Sequence, residues 1–296
     1  MTIVVDDPLI ARMAIRRPLP LHESSRRLRE LYPECPRVYG VAVMSDLSRR
    51  RWWPLEEVLS TDRLQAMFDT AAAETGSTVA VAQQLAATLA HVVIGRVVPL
   101  LALEGRAWDT GLENLWVHVD SEGAIDWVGV VDPTLRALPE DPYFHGRPGM
   151  RRRHSAQDRI AALPSEAALT TWVAHRSHRA LEPLFDKLHT VSDGALSVPA
   201  MWHIVGGAVV GASTQVPLLA GSSELTSMRR GQAVLDALVG FGAPVRGSTR
   251  VCAGKALLNK ESLAYAYPGE CGATSQVPDS PRTTRITKNH RTEPES

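Results

Sequence analysis

The chain has 296 residues, 44% hydrophobic and 22% charged, with 32 basic side chains against 32 acidic ones. This is the composition of a soluble globular protein with a substantial core, and nothing in the balanced charge suggests general affinity for nucleic acid. Lysine occurs only at Lys187, Lys255, Lys260 and Lys288, so arginine carries almost all of the positive charge.

Residues 1–54 read as an N-terminal extension, with turn signals, a basic helical stretch from Glu23 to Leu31, and the motif WWP at Trp52–Pro54. The start, MTIVVDDP, has no basic region followed by a long apolar run, which argues against a secretory signal. Residues 55–138 read as a helical and β-hairpin region. Apolar residues recur at helical spacing from Leu55 to Ala73, with Ser60-Thr61-Asp62 as a candidate cap. Gly76 and Ser77 break that pattern, and Thr78 opens the most apolar stretch, 78–103. A membrane span there would bury Gln83, Gln84, His91 and Arg96 in hydrocarbon, so a core or amphipathic helix is expected instead. Pro99 is expected to kink or end it. The period then changes: Leu115 to Val119 alternates, Asp120-Ser121-Glu122-Gly123 is a turn, and 124–131 resumes an extended pattern. This predicts a β-hairpin.

Residues 139–164 read as a linker loop, with a run of arginines at Arg151-Arg152-Arg153. Residues 165–273 read as a C-terminal helical region. Its helices fall at 165–188, capped by Ser165; at 198–219, where Gly206, Gly207 and Gly211 allow close helix approach; and at 225–239, ending at Gly240 and Gly242. Residues 274–296 have the composition of a disordered tail. The expected fold class is therefore α+β, mainly helical with an antiparallel hairpin.

Cys35, Cys252 and Cys271 are the only cysteines, and no Cys-x-x-Cys occurs. An odd, widely spaced set fits a reducing cytoplasm better than a disulfide framework. Cys252 follows Arg250 and precedes Gly254-Lys255, a setting that lowers a thiol pKa; a small buried hydrophobe is the plainer reading. His91 and His203 each fall within an apolar helix, as satisfied core histidines or as axial ligands for haem or a metal. His175 and His178 share one helix face, with His189 further along. Trp108, Trp116, Trp127 and Trp202 either pack the core or line a cleft for a bulky organic ligand. Arg106, Trp108, Glu113 and Asn114 sit just before the hairpin, where loops often carry binding residues. No P-loop, Gly-x-Gly-x-x-Gly, Gly-x-Ser-x-Gly or His-Glu-x-x-His occurs, which removes support for ATPase, dinucleotide-binding, serine esterase and zinc protease readings.

Four segments in order carry a resemblance. They are VAVAQQLAATLAHVVIGRVVPLLAL from Val79, ENLWVHVDSEGAIDWVGV, PAMWHIVGGAVVGAS and TRVCAG at Thr249 to Gly254. Over roughly Leu55 to Cys271 the chain resembles the FhuF-like ferric-siderophore reductases of bacterial iron uptake, actinobacterial members especially. That family carries adjacent cysteines after an arginine, a spacer, and then Cys-x-x-Cys, which hold a 2Fe–2S cluster that passes an electron to chelated Fe(III). Arg250 and Cys252 match the start, but Ala253 stands at the second cysteine and none occurs from Leu263 to Tyr267. Cys271, before Gly272, resembles a displaced end of the motif. Where the family has Trp-Gly-Asn, this chain has Trp202-His203-Ile204.

The resemblance implies a cytoplasmic oxidoreductase-like protein that binds a ferric siderophore and assists Fe(III) to Fe(II) reduction, with an electron donor protein as partner. Its expected cofactor ligands are Cys252 and Cys271. The expected ligand contacts are Arg106, Trp108, Glu113, Asn114, Trp202, His203 and Arg250, in a cleft between the pre-hairpin loop, the Trp202 helix and the Cys252 segment. Two other readings stay open: a haem- or iron-dependent enzyme of secondary metabolism using His91 or His203, and a non-catalytic binding protein.

Overall fold

The computed structural model describes residues 15, 18–121, 123–145 and 159–246. The arginine run at 151–153, Arg250, Cys252, Cys271 and the tail from 274 lie outside the described residues. Helix α1 (Pro20–Glu30) leads into strands β1 (Val41–Val43) and β2 (Trp52–Pro54). Then come α2 (Glu57–Ser60), α3 (Arg63–Thr75), α4 (Thr78–Ala90), a π-helical turn (His91–Gly95) and α5 (Val97–Glu104). Strands β3 (Arg106–Ala107), β4 (Leu115–Val119), β5 (Ile125–Val130), β6 (Leu135–Ala137) and β7 (Ile160–Ala162) follow. Helices α6 (Glu166–Val191), α7 (Val198–Ala220) and α8 (Glu224–Gly240) complete the described fold, which is α+β and mainly helical.

Local chemistry sets the helix ends. Gly76 stops α3 in the left-handed region at φ +69°, and the Ser77 hydroxyl then accepts the Ala80 N–H at 3.3 Å to open α4. Ser165 caps α6 in the same way, through the Ala168 N–H at 3.1 Å. The helical stretch expected over 55–73 divides at the Ser60-Thr61-Asp62 cap, α2 ending at Ser60 and α3 opening after Asp62. Thr61 lies between them in an extended conformation, and its hydroxyl donates to the Glu57 carbonyl at 2.7 Å.

The helical rod from Thr78 to Glu104 runs through the centre. By length and composition it and Val198–Ala220 are each long and apolar enough to cross a membrane, but 89% of the most apolar window of Thr78–Glu104 is buried inside the protein, as in a core helix. The break expected at Pro99 falls earlier in the chain. Pro99 sits in the first turn of α5, lacks an N–H, and directs its ring at the carbonyl four residues back, that of Gly95. The π-turn at His91–Gly95 takes up that mismatch.

Four strands form a sheet in the order β1-β5-β4-β2, with β1 parallel to β5 and the other pairs antiparallel. The predicted hairpin is β4–β5, with a bulge at His118/Val119. Residues 18–54, from the expected N-terminal extension, supply two of these strands, and Leu21 and Leu28 of α1 enter the main core. Alternation splits the sheet's side chains between two layers. Val41, Val43, Trp53, Leu115, Val117, Val128 and Val130 join the helices in the main core. Ala42, Met44, Trp52 and Trp127 form a second, smaller cluster on the other face. A second sheet, β3-β6-β7, places β7 from the expected linker beside β6.

Close approach among the last helices uses a different glycine from those expected. Gly207 and Gly211 face open space, and Gly206 lies against the Val245 carbonyl. The glycine that lets α8 meet α7 is Gly231, where a Cβ would collide with Ser213.

A Cβ on Gly95 would lie 2.6 Å from His91 Nδ1, and the His91 ring is held from its far side by the Val38 carbonyl. Gly95→Ala is therefore expected to destabilise the protein by about 1–3 kcal/mol, an overpacking cost. Urea unfolding checks it, and an unchanged midpoint would show that the π-turn has slack.

Candidate functional site

Most of the residues singled out before the hairpin hold the fold together. Arg106 grips Asp141 through two hydrogen bonds, Nε to Oδ2 at 2.6 Å and Nη2 to Oδ1 at 2.8 Å, and also reaches Glu104 at 3.2 Å. Arg27 binds the same Glu104 at 2.6 Å, so α1, α5, β3 and the turn at Asp141 meet in one ionic network. Burial pushes the Asp141 carboxyl up, but the Arg106 hydrogen bonds, the Tyr143 N–H and the nearby arginine charges outweigh it and hold it below its ordinary range.

Trp108 is fully buried in the main core. Asn114 uses its whole amide: Nδ2 donates to the Asp109 and Asp132 carbonyls, and Oδ1 accepts from the Val131 and Asp132 N–H groups. Glu113 pairs with Arg176 of α6, which also donates to Asp109 at 2.6 Å. The loop is thereby strapped to α6 rather than opened toward a ligand.

Trp202 packs in the core, stacked on His178 at 5.2 Å and edge-on to Phe185 at 5.3 Å. Its neighbour His203 is exposed. The loop and the Trp202 helix both rest on α6.

The metal and cofactor candidates can be judged on their surroundings. His91 Nε2 donates to the Val38 carbonyl at 2.8 Å. Burial first, and then the Arg96 charge, push its pKa down to about 3, so the ring is neutral at ordinary pH. His175 lies against Phe241, and His189 Nδ1 bonds the Leu196 carbonyl at 2.9 Å. Among the described residues no group of three or more His, Cys, Asp or Glu side chains is placed to hold a metal ion. Cys35 packs half-buried against the main core and is disulfide-bonded. Three cysteines, one of them bonded in this way, do not fit an all-cysteine 2Fe–2S site, which takes four thiolates.

The structure opens a cleft elsewhere, between α3, α4 and the tip of the β4–β5 hairpin, with a volume of 680 Å³. Helix α3 has two working faces. Leu64 and Phe68 enter the core, while Arg63, Ala66, Met67, Thr70, Ala71 and Glu74, at helical spacing, line the cleft. Helix α4 adds Gln84, Leu85 and Thr88, and the hairpin adds Val119 and Ile125. Trp53 is also in the lining, with the Arg63 guanidinium over its ring at 5.1 Å. Arg63 also meets Glu57 at 3.3 Å.

Arg51 lines the cleft as well. Its backbone is left-handed at φ +65°, a conformation that costs a residue with a Cβ roughly 1 kcal/mol. The sheet holds it there, because the Arg51 carbonyl accepts the Val119 N–H at 3.1 Å. Its exposed side chain makes no hydrogen bond or ion pair among the described residues. The cleft's threonines are bonded back along their helices, Thr70 to the Ala66 carbonyl and Thr88 to that of Gln84. The lining thus offers apolar walls and charged or amide side chains, which suits binding. A His–Asp pair does exist on the opposite face of the sheet, where His118 Nδ1 donates to Asp126 at 2.7 Å and Arg37 holds the other carboxylate oxygen at 2.7 Å. No protein-family model, curated protein or solved structure matches the chain.

Two stability effects follow from these groups. The unfolded chain takes up a proton at His91 near the ordinary value of 6.5, while the folded chain resists until about 3, so acid in that window favours unfolding. His91→Gln keeps a donor for Val38 and should flatten that loss, read as urea midpoints across the window; an unaltered pH profile would contradict it. Asp141, held low by Arg106, contributes stability that is present at neutral pH and lost as acid protonates it. Asp141→Asn is expected to cost about 3 kcal/mol at pH 7 in urea unfolding, since it removes the doubly bonded counter-charge of a mostly buried Arg106 and leaves only the longer contact to Glu104; an unchanged midpoint would contradict it.

Proposed function

We propose that this chain is a small-molecule-binding protein that takes a bulky ferric chelate of the siderophore type into the α3–α4–hairpin cleft. The observation that carries the reading is the cleft itself. Its 680 Å³ falls within the roughly 300–1,000 Å³ of small-molecule sites, and its walls are mainly apolar with a few polar groups. The order of elements supports the choice of occupant: a buried alanine-rich helix, a tryptophan-bearing hairpin and a tryptophan-led glycine/alanine helix follow one another, as in the FhuF-like reductases.

The proposal is one of binding. Reduction of the bound iron, with an electron donor protein as partner, would need a redox centre, and the cysteines do not complete a four-thiolate cluster.

Tryptophan fluorescence tests the reading, since Trp53 lies at the cleft and a ferric chelate quenches indole emission. A ferric trihydroxamate is expected to quench saturably, and its gallium form to compete with it. Ala71→Phe, which fills the cleft, should abolish quenching while the circular dichroism spectrum and melting temperature stay close to those of the parent. Absence of saturable quenching, or undiminished quenching in a folded Ala71→Phe protein, would refute the reading.

A further inference from the structure

We infer that the cleft selects a ligand with a negatively charged end, and that Arg51 is the residue that reads that charge. The inference rests on the cleft being the binding site, as proposed above.

The charges around the cleft are unequal in availability. Arg63 already meets Glu57 and lies over Trp53. Asp120 accepts the Ala124 N–H at 2.9 Å and so closes the hairpin turn. Of the arginine run before β2, Arg49 covers Trp116, away from the cleft lining, at 4.9 Å. Arg51 alone of that run lines the cleft, and it has neither acid nor carbonyl partner among the described residues. A guanidinium beside Trp53, Val119 and Ile125 is screened less than one in open water, so an anion reaching it gains more. Its planar fork suits a carboxylate, sulfonate or phosphate oxygen pair.

The backbone supports the same assignment. Glycine would adopt φ +65° without strain, whereas arginine is held there with the Val119 N–H on its carbonyl and the Trp52 N–H on the Arg49 carbonyl closing the turn around it. Strained non-glycine residues of this kind gather where a side chain has to be presented in one direction. Here the pinned backbone sets the root of the Arg51 side chain next to the hairpin edge of the cleft. The ligand class is therefore an amphipathic organic anion, with an apolar body against Trp53, Met67 and Leu85 and its acid group at Arg51. Among ferric chelates this favours those that carry a free carboxylate or a net negative charge.

Two fluorescent probes with one ring system separate charge from shape: 8-anilinonaphthalene-1-sulfonate and the neutral N-phenyl-1-naphthylamine. The full chain is expected to bind the sulfonate about tenfold more tightly than the neutral probe. Arg51→Gln should weaken the sulfonate about tenfold and the neutral probe by less than about twofold, and Arg51→Lys should recover part of the difference. Arg51→Gly should lose the same preference while raising the melting temperature, since it relieves the left-handed backbone. If both probes bind equally, or Arg51→Gln leaves their ratio unchanged, the inference falls, and the cleft reading stands provided Ala71→Phe still abolishes both. If neither probe binds, or Ala71→Phe affects neither, the cleft reading fails and the inference fails with it.

Discussion

A proline in a buried helix has to be accommodated somewhere, and in this protein that constraint organises the rest. Pro99 has no N–H to offer the Gly95 carbonyl four residues back, and the turn that ends there, His91–Gly95, has π geometry. The wider turn directs His91 toward the chain before β1, where Nε2 donates to the Val38 carbonyl. At the far end of the same rod, Glu104 accepts from Arg27, Ser24 and Arg106. The N-terminal region is thus fastened to the central helix at two separated points, and β1 and β2 are delivered to the sheet from there. One fastening relies on a neutral imidazole, and the other on the half-buried Glu104 carboxylate shared between Arg27 and Arg106.

This explains which parts of the fold were legible from residues. The hairpin and the long helices α6, α7 and α8 carry strong periodicity and explicit caps, such as Ser165 and Ser197, so pattern alone finds them. Strands β1 and β2 are three residues each, too short for alternation to register. The WWP motif does hold the clue in miniature, because Trp52 and Trp53 face opposite layers as successive strand residues must. The π-turn was not legible. Proline marks a defect, but where the helix absorbs it depends on which carbonyl is crowded and on what lies beside that turn.

The site shows the same division between local and distant information. Arg106, Glu113 and Asn114 look like binding residues because they are polar and sit beside a tryptophan in a loop. Their actual partners are Asp141, Arg176 and the backbone at Asp132, and nothing in the loop announces them. A buried loop must satisfy its backbone and charges internally, so polar residues near a core tend to be recruited for that purpose. The cleft had a readable signal that amphipathicity alone conceals. Helix α3 carries a second stripe, Arg63, Ala66, Met67, Thr70, Ala71 and Glu74, in which small and apolar residues alternate with polar ones. A helix face of that mixed kind is neither core nor ordinary solvated surface.

The position of the cleft also bears on what it can do. Its two walls reach the rod by different routes: α4 is the rod itself, and the hairpin packs its inner face on the same core through Leu115, Val117 and Val128. Between them, α3 is joined to α4 by a glycine in the left-handed region and a serine cap, a tight corner that fixes its direction. Walls anchored in this way give a site whose shape exists before the ligand arrives, which lowers the ordering cost of binding. A preformed site on rigid elements favours recognition of one molecular shape, whereas covalent chemistry would also need a nucleophile and base facing each other. Among the described residues His22 meets Asp46 at 2.8 Å and His118 meets Asp126 at 2.7 Å, and strand alternation turns His118 toward Trp52 and the second layer, away from the cleft. The same alternation that gives the sheet two cores therefore keeps His118 off the cleft lining.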